Sequence, residues 1–307
     1  MRVKWNVMRW LLVLLAVVTM GCRSAAALPA FDAAAAYAHV VAQCDLGFRY
    51  PGSDAGWATG DYIQAELEKQ GVAVTTQVFE YAPDAQTTPV RLRNVIGKIT
   101  PARAGDASVV ILGAHYDTRR YADGDHDPRA RATPVLGAND GGSGVAVLLE
   151  LARVLDRDRL QNEVWLAFFD AEDQGRIDGW PWSVGASYMA RHLEVRPDYV
   201  IIVDMVGDQQ QEIYWEHNSD AALQAHLWQI AADLGYDSFF IPRVKHSIMD
   251  DHIPFVQQGV AAVDIIDLDY PYWHTTQDTP AKVELESLRR VGHVLQTLLE
   301  ERPFSAR

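Results

Sequence analysis

Four short, almost unbroken apolar runs constrain this chain more than any other feature. Residues 107–117 (ASVVILGAHYD), 163–173 (EVWLAFFDAED), 199–207 (YVIIVDMVG) and 260–269 (VAAVDIIDLD) do not alternate between apolar and polar positions. That is the pattern of strands covered on both faces. Stretches 142–156, 184–194, 220–234 and 284–300, lying between and after these runs, have helical spacing. Upstream, 32–45 and 56–70 also read as helices, the second stopped by Gly71. Segments 72–81 and 90–99 read as an antiparallel strand pair joined by a polar, Pro-containing loop. Strands alternating with helices specify a three-layer α/β/α sandwich with a mixed, mostly parallel central sheet. No repeat or Pro/Gly/Ser linker breaks residues 32–307, so they are expected to form one domain.

The first residues follow a different logic. Arg2, Lys4 and Arg9 precede an apolar run from Trp10 to Met20 that is short for a membrane span and arranged as in a secretion signal. Thr19-Met20-Gly21-Cys22 resembles a bacterial lipobox. Residues 1–21 are therefore expected to be a lipoprotein signal peptide, Cys22 the lipidated residue, and 22–31 a short tether. The body would then be exported and held at the cell envelope by its lipid, or secreted if cleavage falls near Ala25–Ala27 instead. Two cysteines cannot build a disulfide framework, and Cys44 reads as a small buried apolar residue. A net charge of −14, distributed without like-charge blocks, argues against nucleic acid as a partner.

Chemistry-bearing residues cluster just after the apolar runs, where open α/β sheets place their ligands. They are His115 and Asp117, Asp140, Glu172 and Asp173, Asp204, and, further on, Trp273-His274. Two histidines with several carboxylates suit Zn²⁺, and a divalent cation is the simplest relief for so many like charges at one sheet edge.

Taken in order, the motifs Arg49-Tyr-Pro-Gly-Ser53, Asn94-Val-Ile-Gly97, Gly113-Ala-His-Tyr-Asp117, Gly137-Ala-Asn-Asp140, Phe169-Asp-Ala-Glu-Asp173, Asp204-Met-Val-Gly207, Asp250-Asp-His-Ile-Pro-Phe255 and Trp273-His-Thr275 resemble the zinc-dependent exopeptidases. That clan includes secreted aminopeptidases and glutaminyl-peptide cyclotransferases (glutaminyl cyclases). Asp250, Trp273, and Trp180 followed by Gly185-Ala-Ser187 resemble the cyclotransferase branch. Asp173 departs from both branches, which more often carry Glu there.

The resemblance implies one zinc on Asp140, Asp173 and His274, polarising the side-chain amide of an N-terminal glutamine in a peptide or protein substrate. Glu172 would move the proton, with Asp204, Asp250 and Asp117 as further catalytic groups. Trp273, Trp180 and Tyr270 would bind substrate. The alternative is a two-zinc aminopeptidase, with His115 and Asp204 joining Asp140 as ligands of a second ion. A non-catalytic binding lipoprotein is disfavoured by the presence of Glu172. Arg119, Arg120, Arg129 and Arg131 around the Asp-rich stretch 123–127 read as a solvated loop.

Overall fold

The computed structural model describes residues 30–103, 105 and 108–305. The signal, Cys22 and most of the tether lie outside these residues. In chain order the elements are α1 (Ala33–Asp45), α2 (Asp54–Lys69), β1 (Ala73–Tyr81), β2 (Val90–Ile99), β3 (Val109–His115), α3 (Gly142–Val154), β4 (Glu163–Phe169) and α4 (Val184–Arg191). They continue with β5 (Tyr199–Asp204), β6 (Ile213–Glu216), α5 (Ala221–Asp233), β7 (Phe240–His246), α6 (Ile253–Gln257), β8 (Ala261–Ile266) and α7 (Leu285–Glu300).

Six strands form one sheet in the order β1-β2-β4-β3-β5-β8. β1 and β2 pair antiparallel, as do β2 and β4; β4, β3, β5 and β8 run parallel. The sheet is thus mixed and mostly parallel. Its strands serve two cores by strict alternation. Val110, Leu112 and Ala114 of β3, with Tyr199, Ile201 and Val203 of β5, face α1, α2, α3, α5 and α7. Val109, Ile111, Val200 and Ile202 face α4 and α6. This two-sided burial explains why the sequence shows continuous apolar runs.

The runs end earlier as strands than as sequence patterns. β4 stops at Phe169 and β5 at Asp204, so the acidic residues beyond them stand in loops at the carboxyl edge. A separate pair, β6 with β7, was not expected. β6 has only four residues, and most of β7 is exposed.

Candidate metal centre and active-site cavity

Five segments converge at the carboxyl edge of the parallel strands. His115 ends β3, Asp204 ends β5, Glu172 and Asp173 follow β4, Asp140 precedes α3, and His274 lies in the loop after β8. The turns there are sharp. Ala171, Met205 and His274 all have positive φ (59°, 47° and 56°), a region that non-glycine residues seldom occupy. Gly141 also has positive φ (+24°), and a Cβ on it would come within 2.7 Å of the His115 ring. Only glycine lets α3 begin so close to that histidine.

Ligand atoms of Asp140, Asp173 and His274 all lie within 4.8 Å of one another, as do those of His115, Asp140 and Asp204. The two groups differ in how their atoms are satisfied. His274 Nε2 is 2.9 Å from Asp173 Oδ1 and 3.7 Å from Asp140 Oδ2. Yet these three atoms, and Asp173 Oδ2, are buried without a hydrogen-bond partner. Buried polar atoms held this close together without well-formed hydrogen bonds fit a cation and are costly without one. His115 Nε2, in contrast, is hydrogen-bonded to Asp204 Oδ1 at 3.1 Å and lies 3.2 Å from Asp140 Oδ1.

Electrostatics follow from burial. Glu172 is pushed well above the usual carboxylate range by burial first and by the charge of Asp250 second. Burial and the neighbouring Asp140 raise Asp173 to about 6. Burial disfavours a charged imidazole at His115, but the Asp204 charge and hydrogen bonds to Asp117, Asp140 and Asp204 outweigh it, and its pKa lies well above normal.

Asp140, Glu172, Asp173, Asp204, Asp250, Trp273 and His274 line one cavity of about 230 Å³. Three residues expected at the site stand elsewhere. Asp117 is fully buried behind it, where its carboxylate accepts the backbone N–H of Glu172 (2.9 Å) and of Asp173 (3.2 Å). It therefore positions these two residues and does not reach the cavity. Trp180 packs against Tyr81 (ring centroids 4.9 Å), and the cavity wall is instead Trp182, stacked 6.0 Å from the His274 ring. Tyr270 is buried and donates its hydroxyl to Asp278 Oδ1 at 2.8 Å.

Asp278 itself is a residue the sequence reading missed. It also accepts the backbone N–H groups of Asn139 (2.9 Å) and Asp140 (3.1 Å), so it fixes the loop that carries the shared carboxylate. Nothing in Thr276-Gln-Asp-Thr-Pro280 distinguishes it from an ordinary polar turn. The stretch after Thr118 is likewise not wholly solvated. Arg119 is 3% exposed, binds Asp123 through two bonds of 2.7 Å, and donates to the carbonyls of Asp173 (3.0 Å) and Gly175 (3.2 Å). Asp123 in turn lies 3.5 Å from His274 Nδ1, the ring nitrogen away from the cluster. Arg49, from the first motif, is buried and donates to the carbonyls of Tyr116, Leu136 and Gly137, tying together two of the loops behind the site.

Comparison with known proteins agrees with this geometry. A glutaminyl cyclase of Bacteroides thetaiotaomicron, solved with N-acetylhistamine bound, is 31% identical with a TM-score of 0.83, covering 90% of this chain and 100% of that one. A Zn-dependent exopeptidase of Parabacteroides distasonis is 34% identical with a TM-score of 0.82, covering 90% and 100%. The glutaminyl-peptide cyclotransferase-like protein of Bos taurus is 23% identical over 293 residues, covering 83% of this chain and 72% of its own length. Residues 94–299 match the profile of Peptidase family M28, and the chain belongs to that family.

Proposed function

We propose that this enzyme is a zinc-dependent glutaminyl-peptide cyclotransferase, which closes an N-terminal glutamine into pyroglutamate and releases ammonia. The observation that carries the reading is the contrast between the two ligand groups. Asp140, Asp173 and His274 bring together buried atoms that have no hydrogen-bond partner, whereas His115 Nε2 is hydrogen-bonded to Asp204 Oδ1. This favours a single ion. Zinc on those three residues would supply Lewis-acid polarisation of the side-chain amide carbonyl.

The rest falls to the chain's own groups. Glu172, buried and with a raised pKa, is suited to take a proton from the attacking α-amine and return it to the departing ammonia. Asp250 and Asp204 line the same cavity and offer acceptors for the amine. Trp182, Trp273, Ile248 and Leu268 give the cavity apolar walls, which suit a cyclisation that must keep water from the reacting carbonyl. Intramolecular attack gains its rate from orientation, so a small rigid cavity suffices.

The convergence of His115, Asp140 and Asp204 keeps a two-zinc aminopeptidase as the competing reading. Counting zinc per protomer and following ammonia release from a Gln-initiated peptide, beside hydrolysis of leucine and alanine anilides, separates them. One zinc with ammonia release supports the proposal; two zincs with anilide cleavage refute it. Bound metal without either activity would instead favour a binding protein. We further propose export through residues 1–21 and lipid attachment at Cys22, which metabolic labelling with radioactive palmitate tests against a Cys22→Ser chain.

A further inference from the structure

One wall of the cavity is formed by the segment Ser247-Ile248-Met249-Asp250, between β7 and α6. This segment carries no helix or strand hydrogen bonds of its own. What holds it is a buried carboxylate from the small β6–β7 pair. Glu216, the last residue of β6, is 1% exposed and both of its oxygens are occupied. Oε1 accepts the Ile248 backbone N–H at 3.0 Å and Asn218 Nδ2 at 2.9 Å. Oε2 accepts the Asn218 N–H at 2.8 Å and the Ser219 hydroxyl at 2.9 Å, and faces His252 Nε2 at 3.1 Å. Burial alone would raise this carboxyl, but its bonds to His252, Asn218 and Ile248 hold it down at about 2.

Two of these partners grip the wall from both sides. His252 follows Asp250 by two residues, is fully buried, and places its other ring nitrogen 3.6 Å from Asp264 on β8. Asn218 Nδ2 also reaches Ser247 Oγ at 3.2 Å and the Ile248 carbonyl at 3.1 Å. The wall is thus tied before Asp250 by the hydrogen bond to Ile248 and flanked after it by His252, whose Nε2 stands 3.1 Å from the same carboxylate as an ion-pair contact.

We propose that Glu216 is a positioning residue for the reaction, setting where Asp250 and the apolar wall stand relative to Glu172 without itself touching substrate. The inference rests on the cyclotransferase reading for its substrate, but not for its geometry. Misplacing a reacting group by about 1 Å costs rate on the order of 100-fold, so an anchor of this kind acts mainly on kcat.

The test replaces Glu216→Gln in the full exported chain, which keeps the shape but faces several donors with an NH₂. Zinc content, Tm, and kcat and KM for a Gln-initiated peptide are measured. A second variant, Asn218→Ala, removes a half-buried side chain and loosens the wall more gently. The control is Glu150→Gln on α3, a buried carboxylate paired with Arg153 at 2.6 Å and outside the cavity lining. The expected result is full zinc content, kcat lower by about 10- to 100-fold in Glu216→Gln with a smaller change in KM, and a lesser kcat loss in Asn218→Ala. Glu150→Gln should lower Tm and leave kcat unchanged. Wild-type kcat in folded Glu216→Gln, or in Asn218→Ala should the first variant not fold, overturns the proposal. So does an equal kcat loss in the Glu150 control. Should wild-type protein release no ammonia but cleave anilides, the cyclotransferase reading fails alone, and the same comparison is made on the anilide.

Discussion

Replacing Asp117 by Asn tests whether a carboxylate outside the cavity governs what happens inside it. The two oxygens of Asp117 receive the N–H groups of Glu172 and Asp173 at 2.9 and 3.2 Å, and Oδ1 stands 3.5 Å from His115 Nδ1. An asparagine has one oxygen for these two backbone donors. Whichever way its amide turns, one buried N–H faces an NH₂ group and goes unpaired, at about 1–3 kcal/mol, and the surviving bond loses its charge assistance. The sum is about 2–4 kcal/mol, or roughly 4–7 °C in Tm for a domain of this size. Because the two displaced residues are the proposed proton carrier and a proposed metal ligand, zinc affinity should fall about 10- to 100-fold. Thermal unfolding of the metal-free chain isolates the first effect, and competition with a zinc-chelating dye reads the second. A folded Asp117→Asn chain with unchanged Tm and zinc affinity would refute the positioning role.

Three other outcomes are expected. Glu172→Gln should lower ammonia release by about 100- to 10,000-fold while zinc content stays at the wild-type value, as measured by metal analysis of the purified variant. Trp182→Ala should reduce kcat/KM by about tenfold, whereas Trp180→Ala, two residues away but packed on Tyr81, should leave it unchanged in the same assay. Burial, with the charge of Asp117 second, pushes Asp170 up to about 7. A carboxyl whose folded pKa is raised keeps its proton in the folded chain while the unfolded chain has lost it, so its contribution to stability declines from about pH 4 to pH 7. Subtracting the Tm–pH curve of Asp170→Asn from that of the wild type should reveal a decline over that window; a flat difference would contradict it.

The elements buried on both faces were the easiest to read from sequence, because a strand such as Val109–His115 with no exposed residue leaves an unmistakable apolar run. β6 and β7 escaped for the opposite reason. Their partner surface is small, and Phe240–His246 carries Pro242, Arg243 and Lys245 on an exposed edge. The cavity-lining acids were legible because strand ends announce them. The residues that hold those acids were not, since Asp278, Glu216 and Arg119 act through backbone N–H and C=O groups that have no signature in the sequence. Choosing between Trp180 and Trp182 was beyond pattern reading for a related reason. The positive φ of Arg176, Asp178 and Ser183 turns the loop so that the second indole faces His274.

The left-handed corner at Ala171 bends a familiar expectation from protein engineering. Alanine to glycine usually costs stability, but at φ 59° the strain relieved, about 1–2 kcal/mol, offsets most of the packing and chain entropy that Ala171→Gly gives up beside Phe79, Leu92 and Val184. The residues that follow immediately are Glu172 and Asp173, whose directions depend on that corner being stiff. The β-carbon at this corner therefore acts less on stability than on stiffness, and a glycine here should be felt in turnover before it is felt in Tm.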